Sequence, residues 1–264
     1  MGHGGERLTV DNPTSPLPPA FYARHETNRG DRYGWMDWWV ILHPPYTLWH
    51  LSYVAIGATI ADRFNGTTLA ATVIAFFLAV GVCAHALDEL QGRPLRTRIP
   101  SSHLAIVATL ALCGAVALGI VGLNRVGPGL IAFIVVGVVL TCGYNLELFG
   151  GRLHNDVTFA AAWGAFPVLT AFYAQTRTLN APAILAAIAC YLLSNAQRAL
   201  STPARDLRRR IASVDGVIVY SDGRHEPLNT ADLLAPLERA LKALSWGIVA
   251  LAASLVLFRV FHAQ

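Results

Sequence analysis

The chain has 264 residues, of which 54% are hydrophobic and 14% are charged, and its formal net charge is +4. A soluble domain carries about 25% charged residues, so this composition argues against a soluble protein. Cys83, Cys113, Cys142 and Cys190 all lie in apolar stretches and form no CxxC pair, so no disulfide framework is expected. The small excess of basic residues does not indicate a nucleic-acid-binding protein.

The predicted elements begin with a polar, proline-rich segment, residues 1–34, which is typical of a flexible tail. Trp35, Trp38 and Trp39 then form an aromatic cluster of the kind found at membrane–water interfaces. The apolar blocks that follow are each long enough to cross a hydrocarbon core of ~30 Å as a helix. They are residues 44–62, 67–87, 103–123, 128–146, 157–175, 181–200 and 243–261. The sequence therefore predicts an all-α fold, a polytopic membrane helical bundle with about seven transmembrane helices.

The basic residues are unevenly distributed between the predicted loops. If the N-terminus is cytoplasmic, segments 1–43, 88–102, 147–156 and 198–242 face the cytoplasm and hold sixteen of the 20 Arg and Lys residues. This positive-inside bias predicts a cytoplasmic N-terminus, and we expect the bacterial plasma membrane as the location.

The predicted domain organisation has successive parts with different compositions. The tail, residues 1–34, precedes a six-helix membrane region, residues 35–200, which carries two cytoplasmic motif loops. A cytoplasmic insertion, residues 201–242, contains a basic helical run, a short β segment and an amphipathic helix. The last transmembrane helix occupies residues 243–264.

The predicted second span ends in His85, Asp88 and Glu89. Their i, i+3, i+4 spacing predicts that they share one helical face and converge as metal ligands. Ionisable groups at the edge of a span are costly and usually functional, and an imidazole ligand favours iron, zinc or manganese. The alternative is an interfacial cap, in which the two acids pair with Arg93 and Arg96.

Other polar residues lie at the same predicted membrane level. Glu147, His154 and Asp156 follow the fourth span and are candidate metal ligands, or else parts of a polar capping loop. His43 and His50 are seven residues apart near the start of the first span, a spacing that can direct both towards one cavity, although structural roles are an alternative.

The sixth span ends in a basic run. Asn195, Arg198 and Thr202 fall on one helical face, and Arg205 follows them. Arginine forks bind phosphate bidentately, so this run suits a phosphate-bearing ligand. The alternative is a positive-inside anchor that contacts anionic lipid.

Segments in the same order along the chain resemble the motifs of the UbiA superfamily of intramembrane prenyltransferases. Residues 43–49 resemble the opening element of the family, and residues 88–97 resemble a shortened first aspartate-rich motif. Residues 144–147, followed by residues 162–169, resemble the passage in the middle of the family's sequences. Residues 195–206 stand in the place of the second aspartate-rich motif.

This resemblance implies a UbiA-like enzyme that acts on an isoprenoid diphosphate or a related lipid, with prenyl transfer at a magnesium and diphosphate site facing the cytoplasm. Together with the patterns above, it predicts a set of site residues. The catalytic candidates are Asp88, Glu89, Tyr144 and Asn195; the substrate-binding candidates are Arg93, Arg96, Arg198 and Arg205; the metal candidates are His85, Asp88, Glu89, Glu147, His154, Asp156 and Asp206.

Two other functions fit the same residues. One is a metal-dependent membrane oxidase or hydrolase that uses the mixed set of histidines and carboxylates to bind iron, zinc or manganese instead of magnesium. The other is a non-catalytic UbiA-like subunit of a membrane complex, in which the tail and the 201–242 insertion contact partner subunits. In every case we expect membrane lipids, and not nucleic acid, as partners.

Overall fold

The computed structural model of the chain describes residues 17–23 and 34–262, and most of these residues are helical. The prediction of a flexible tail for residues 1–16 and 24–33 lies outside the described residues. Regular elements are labelled here in chain order. They are α1 Trp35–Ile41, α2 Pro44–Thr59, α3 Gly66–Leu90, α4 Ser101–Val126, α5 Leu130–Asn145, α6 Asp156–Thr176, α7 Ala181–Arg209, β1 Gly216–Val219, β2 His225–Leu228 and α8 Thr230–His262.

Among the described residues, five helices are long and apolar enough to cross a membrane, namely α3, α4, α6, α7 and α8. The chain is therefore an integral membrane protein with a mostly helical fold, and five of the predicted spans are confirmed. Helices α2 and α5 have 16 residues each, which gives each a length of about 24 Å. That is shorter than a typical hydrocarbon core, so the spans at 44–62 and 128–146 remain predictions.

Helix α2 lies in the middle of the bundle, where it packs mainly against α6 and α8. Its Trp49 and Tyr53 side chains are fully buried. Gly57 permits a close approach of α2 to α6, because a Cβ atom at this position would lie 2.3 Å from the carbonyl oxygen of Val168. The outward faces of α4, α7 and α8 instead expose large aliphatic and aromatic side chains, which suits contact with lipid.

Two of the long helices contain π-helical turns. Helix α3 is π-helical from Phe77 to Ala84, and α6 is π-helical from Ala161 to Ala165. Such turns are frequent at functional sites, and the extra residue per turn changes the direction of the side chains that follow.

The predicted insertion, residues 201–242, is in large part continuous with the neighbouring spans. Helix α7 runs on to Arg209, α8 begins at Thr230, and the two extensions pack on each other through Leu207, Leu234 and Leu241. Only the antiparallel β1–β2 hairpin projects from them, and its strands are exposed. The ends of α3, α5 and α7 and the starts of α2, α6 and α8 meet beside these extensions, at what we call the polar end of the bundle.

Candidate functional site

A cavity of ≈ 160 Å³ opens at the polar end. Its lining includes His43 and His50 from α2 and its N-terminal flank, Asp88 from α3, Tyr144 from α5 and Arg205 from α7. His43 and His50 thus both line one cavity, as their spacing allows. The ends of the second and sixth predicted spans also reach this cavity together, so a single ligand can contact both.

The cavity is predominantly cationic because α7 presents Arg198, Arg205, Arg208 and Arg209 to it. Arg198 pairs with exposed Asp156 at 2.7 Å, and Arg208 pairs with Glu238, which is also largely buried. Arg205 and Arg209 have no carboxylate partner in the described part of the chain. Half-buried cations that form no ion pair favour an anionic ligand, and phosphate suits the planar guanidinium best.

Three residues that line the same cavity carry polar atoms without a hydrogen-bond partner among the described residues. Within residues 17–23 and 34–262, His43 Nε2, the Tyr144 hydroxyl and Gln197 Oε1 are buried and make no hydrogen bond. Tyr144 and Gln197 are only 4% and 3% exposed. Buried polar groups are nearly always paired, so three such atoms around one cavity indicate a polar ligand with several hydrogen-bonding groups.

Two histidines form a stacked pair at the cavity wall. The rings of His43 and His85 lie 4.5 Å apart with 20° between their planes, and the Tyr22 hydroxyl lies 2.6 Å from His43 Nδ1. Burial lowers the pKa of His43, with smaller contributions from His85 and Arg209, while burial raises the pKa of Tyr22. Tyr22 therefore keeps its proton and His43 is neutral, and their hydrogen bond occupies Nδ1, so Nε2 is the ring nitrogen left for a ligand.

Six of the predicted site residues line the cavity: His85, Asp88, Tyr144, His154, Arg198 and Arg205. The sequence did not indicate Gln197, and the residue it did indicate, Asn195, is half-buried outside the cavity. Asn195 and Gln197 are two positions apart, so their side chains point about 200° apart around the helix. Only one of the two can therefore face the cavity. The repeat of Gln197, Ser201 and Arg205 at i, i+4 and i+8 is the signal that would have found the inward face.

Glu89 does not face the cavity, so the predicted convergence of His85, Asp88 and Glu89 is wrong. Its side chain is fully buried, and its carboxylate accepts hydrogen bonds from the backbone N–H groups of Leu95 and Thr97, both at 2.9 Å, and from the Thr97 hydroxyl at 2.8 Å. These bonds hold the loop after α3 against the helix end. The prediction failed because the partners of Glu89 are N–H and O–H donors of the following loop, and helical periodicity gives no information about a loop.

The arginines of this loop also lie outside the cavity. Arg93 donates to the carbonyl oxygen of Ile99 and to the Ser101 hydroxyl at 2.6 Å, and Arg96 is exposed. Both adopt left-handed backbone conformations, with φ of 55° and 54°, and so form the turns that bring the loop over Glu89. Their predicted role in substrate binding finds no support in these positions.

The remaining predicted metal ligands are dispersed. Exposed Glu147 lies 3.9 Å from His154 Nδ1, Asp156 pairs with Arg198, and Asp206 pairs with Arg210 at 3.3 Å. Among the described residues there is no group of three or more His, Cys, Asp or Glu side chains that can hold a metal ion. The donors therefore do not fit a magnesium site built from two acid-rich motifs.

An apolar groove of ≈ 340 Å³ adjoins the polar cavity and lies between α3, α4, α5 and α6. Its walls are mainly aliphatic and aromatic, with Leu112, Phe133 and Ile134 as examples. Val80 and Trp163 line both the groove and the cavity. Each of these two residues belongs to one of the π-helical turns, so both turns meet at the junction of the two spaces.

In comparisons with known proteins, the chain matches no family model, no curated protein and no solved structure. The likeness to the UbiA superfamily therefore depends on the segments described above.

Proposed function

We propose that this protein is a UbiA-like membrane enzyme that binds an isoprenoid diphosphate, or a related lipid with a phosphate head group, and transfers its prenyl chain. The observation that carries the proposal is the junction of two spaces of opposite character at Val80 and Trp163. A cationic cavity that shares two wall residues with an apolar groove matches a ligand with an anionic head and a hydrocarbon tail.

The head group is proposed to bind Arg205 and Arg209, which lack a carboxylate partner among the described residues. The Tyr144 hydroxyl and His43 Nε2 are proposed to donate to phosphate oxygens, since both atoms are buried and unpaired within the described ranges. The tail then passes between Val80 and Trp163 into the groove.

Prenyl transfer breaks the bond between the allylic carbon and the diphosphate oxygen, and the electron pair leaves with the diphosphate. An acceptor forms the new bond to that carbon and loses a proton. The arginines stabilise the charge that develops on the leaving diphosphate.

The finer topology is part of the same proposal. We infer seven spans in a UbiA-like arrangement, with the polar end and the N-terminus on the cytoplasmic side of a bacterial plasma membrane. The positive-inside bias supports this orientation.

A second candidate is a non-catalytic UbiA-like subunit that holds a phosphate-bearing lipid within a membrane complex. One observation favours it: Asp88 is the only carboxylate on the cavity wall that lacks an ion-pair partner within residues 17–23 and 34–262. In that case the same ligand binds but is not consumed.

Binding of farnesyl diphosphate to the detergent-solubilised protein tests the proposal, with inorganic pyrophosphate and farnesol as separate probes of head and tail. Arg205→Gln should weaken both phosphate-bearing ligands by tenfold or more, because hydrogen bonds to charged groups contribute about 1.5–3 kcal/mol each. Arg210→Gln is the matched control, since Arg210 belongs to the same basic run but is exposed and does not line the cavity.

Farnesyl diphosphate that fails to bind, or that binds equally to both arginine variants, would refute the proposed site. Release of diphosphate in the presence of membrane lipid extract separates the two candidate functions. An enzyme releases it, whereas a non-catalytic subunit binds the ligand and returns it intact.

A further inference from the structure

We propose that residues 17–23 form a strap that closes the mouth of the polar cavity and that an anionic head group displaces it from Arg208 and Arg209. The closure concerns access to the cavity and stands on contacts within this chain, whereas the displacement rests on the proposed function. These residues belong to the segment that the sequence predicts as a flexible tail, yet in the structure they pack against the polar end.

The first argument comes from the two arginines. The Arg208 guanidinium donates to the carbonyl oxygen of Pro18 at 3.2 Å, and Arg209 Nε donates to that of Pro19 at 3.0 Å. The strap thus gives each of these cavity arginines a hydrogen-bond acceptor that is neutral, a backbone carbonyl oxygen. Phosphate adds an opposite charge and binds guanidinium bidentately, which a single backbone carbonyl does not, so an anionic ligand can replace the strap at these arginines.

The second argument comes from the side chains of the strap. The Tyr22 hydroxyl bonds to His43 Nδ1, and the Phe21 ring packs edge-on against Tyr46 with 6.4 Å between centroids. The Lys242 ammonium lies 5.0 Å from the centre of the Phe21 ring. Pro19, Ala20, Phe21 and Tyr22 all line the cavity, so the strap is part of its wall and not merely adjacent to it.

The third argument concerns how easily the strap opens. Residues 17–23 contain no helix or strand, and their own backbone contributes only a turn in which Ala23 N–H bonds to the Ala20 carbonyl. Segments outside helices and strands open locally at a lower free energy than the global unfolding of the protein. The strap can therefore detach while the helices remain folded.

The test is the reactivity of a cysteine placed inside the cavity. Ala204 is 6% exposed and lines the cavity, so Ala204→Cys reports access from water to a charged, water-soluble thiol reagent. The parent protein corrects for its native cysteines. In this background two strap variants are compared with a control, Tyr220→Phe. Tyr22→Phe removes the hydrogen bond to His43, and Phe21→Ala removes the aromatic ring that packs against Tyr46. Tyr220 lies by the exposed hairpin, where its hydroxyl bonds to Glu226, so it is a matched control.

Labelling of Ala204→Cys should be several times faster in both strap variants and unchanged in Tyr220→Phe. Equal rates in all the proteins would overturn the closure, and no ligand is needed to reach that result. In a second arm, farnesyl diphosphate should accelerate labelling of Ala23→Cys as the strap is displaced. If the ligand binds without changing that rate, the displacement is wrong and the proposed function stands; if no ligand binds, the proposed function fails and the labelling of Ala204→Cys still decides the closure.

Discussion

Glu89 and Asp88 are adjacent at the end of α3, but replacing each carboxylate with the matching amide should have different effects. Glu89→Gln should destabilise the protein, because its carboxylate accepts three hydrogen bonds in a fully buried position. Glutamine keeps one acceptor oxygen, and its NH₂ group then faces a backbone N–H donor. Loss of one charge-assisted bond and weakening of the others corresponds to about 2–4 kcal/mol of unfolding free energy.

Asp88→Asn, by contrast, should change the unfolding free energy by less than about 1 kcal/mol, because Asp88 is half-buried and accepts no hydrogen bond from the described residues. Its charge faces the arginines of the cavity and repels an anion there. Inorganic pyrophosphate should therefore bind the Asp88→Asn variant more tightly than the parent protein when divalent cations are chelated.

Unfolding in mixed detergent micelles, followed by circular dichroism, measures the first effect, and isothermal titration calorimetry measures the second. The reasoning is refuted if Glu89→Gln is as stable as the parent protein and loses pyrophosphate binding. It is also refuted if Asp88→Asn weakens pyrophosphate binding in the presence of a chelator, since that result would assign Asp88 an attractive role towards the anion.

Other predictions concern the packing, the topology and the pH response. Gly57→Ala should lower the free energy of unfolding by about 1–3 kcal/mol in the same assay. The added Cβ would lie 2.3 Å from the Val168 carbonyl oxygen and would force α2 and α6 apart. An unchanged stability would contradict this and mean that the two helices separate freely. An impermeant thiol reagent added to intact cells should label Asn124→Cys but not Ser221→Cys; the reverse pattern would invert the proposed orientation. The strap should open as the pH falls below about 6.5, the ordinary pKa of histidine. Burial lowers the pKa of His43 in the closed state, so below this pH only the open state gains a proton. Closure is therefore fully favoured above about pH 6.5. Cavity labelling normalised to an exposed cysteine checks this response, and a pH-independent ratio contradicts it.

The sequence by itself determined the membrane-spanning helices and the position of the polar chemistry. Transfer of a segment into hydrocarbon depends mainly on the residues of that segment, so hydropathy alone located α3, α4, α6, α7 and α8. The same local reasoning placed Asp88 and Arg205 near one end of the bundle, where both line the cavity. Helix α2 is a partial exception, because its Trp49 and Tyr53 are enclosed by protein and its 16 residues are short for a span.

Only the tertiary structure decided which polar residues face the cavity. The roles of Asp88 and Glu89 differ because a loop folds its N–H groups onto Glu89, and this contact joins residues six to eight positions apart in a turn without periodicity. Gln197, and not Asn195, lines the cavity because the neighbouring helices fix the rotation of α7 about its axis. The strap contacts depend on pairs about 190 residues apart, such as Arg209 and Pro19. Such contacts follow from the assembled bundle, since no short stretch of sequence contains both partners.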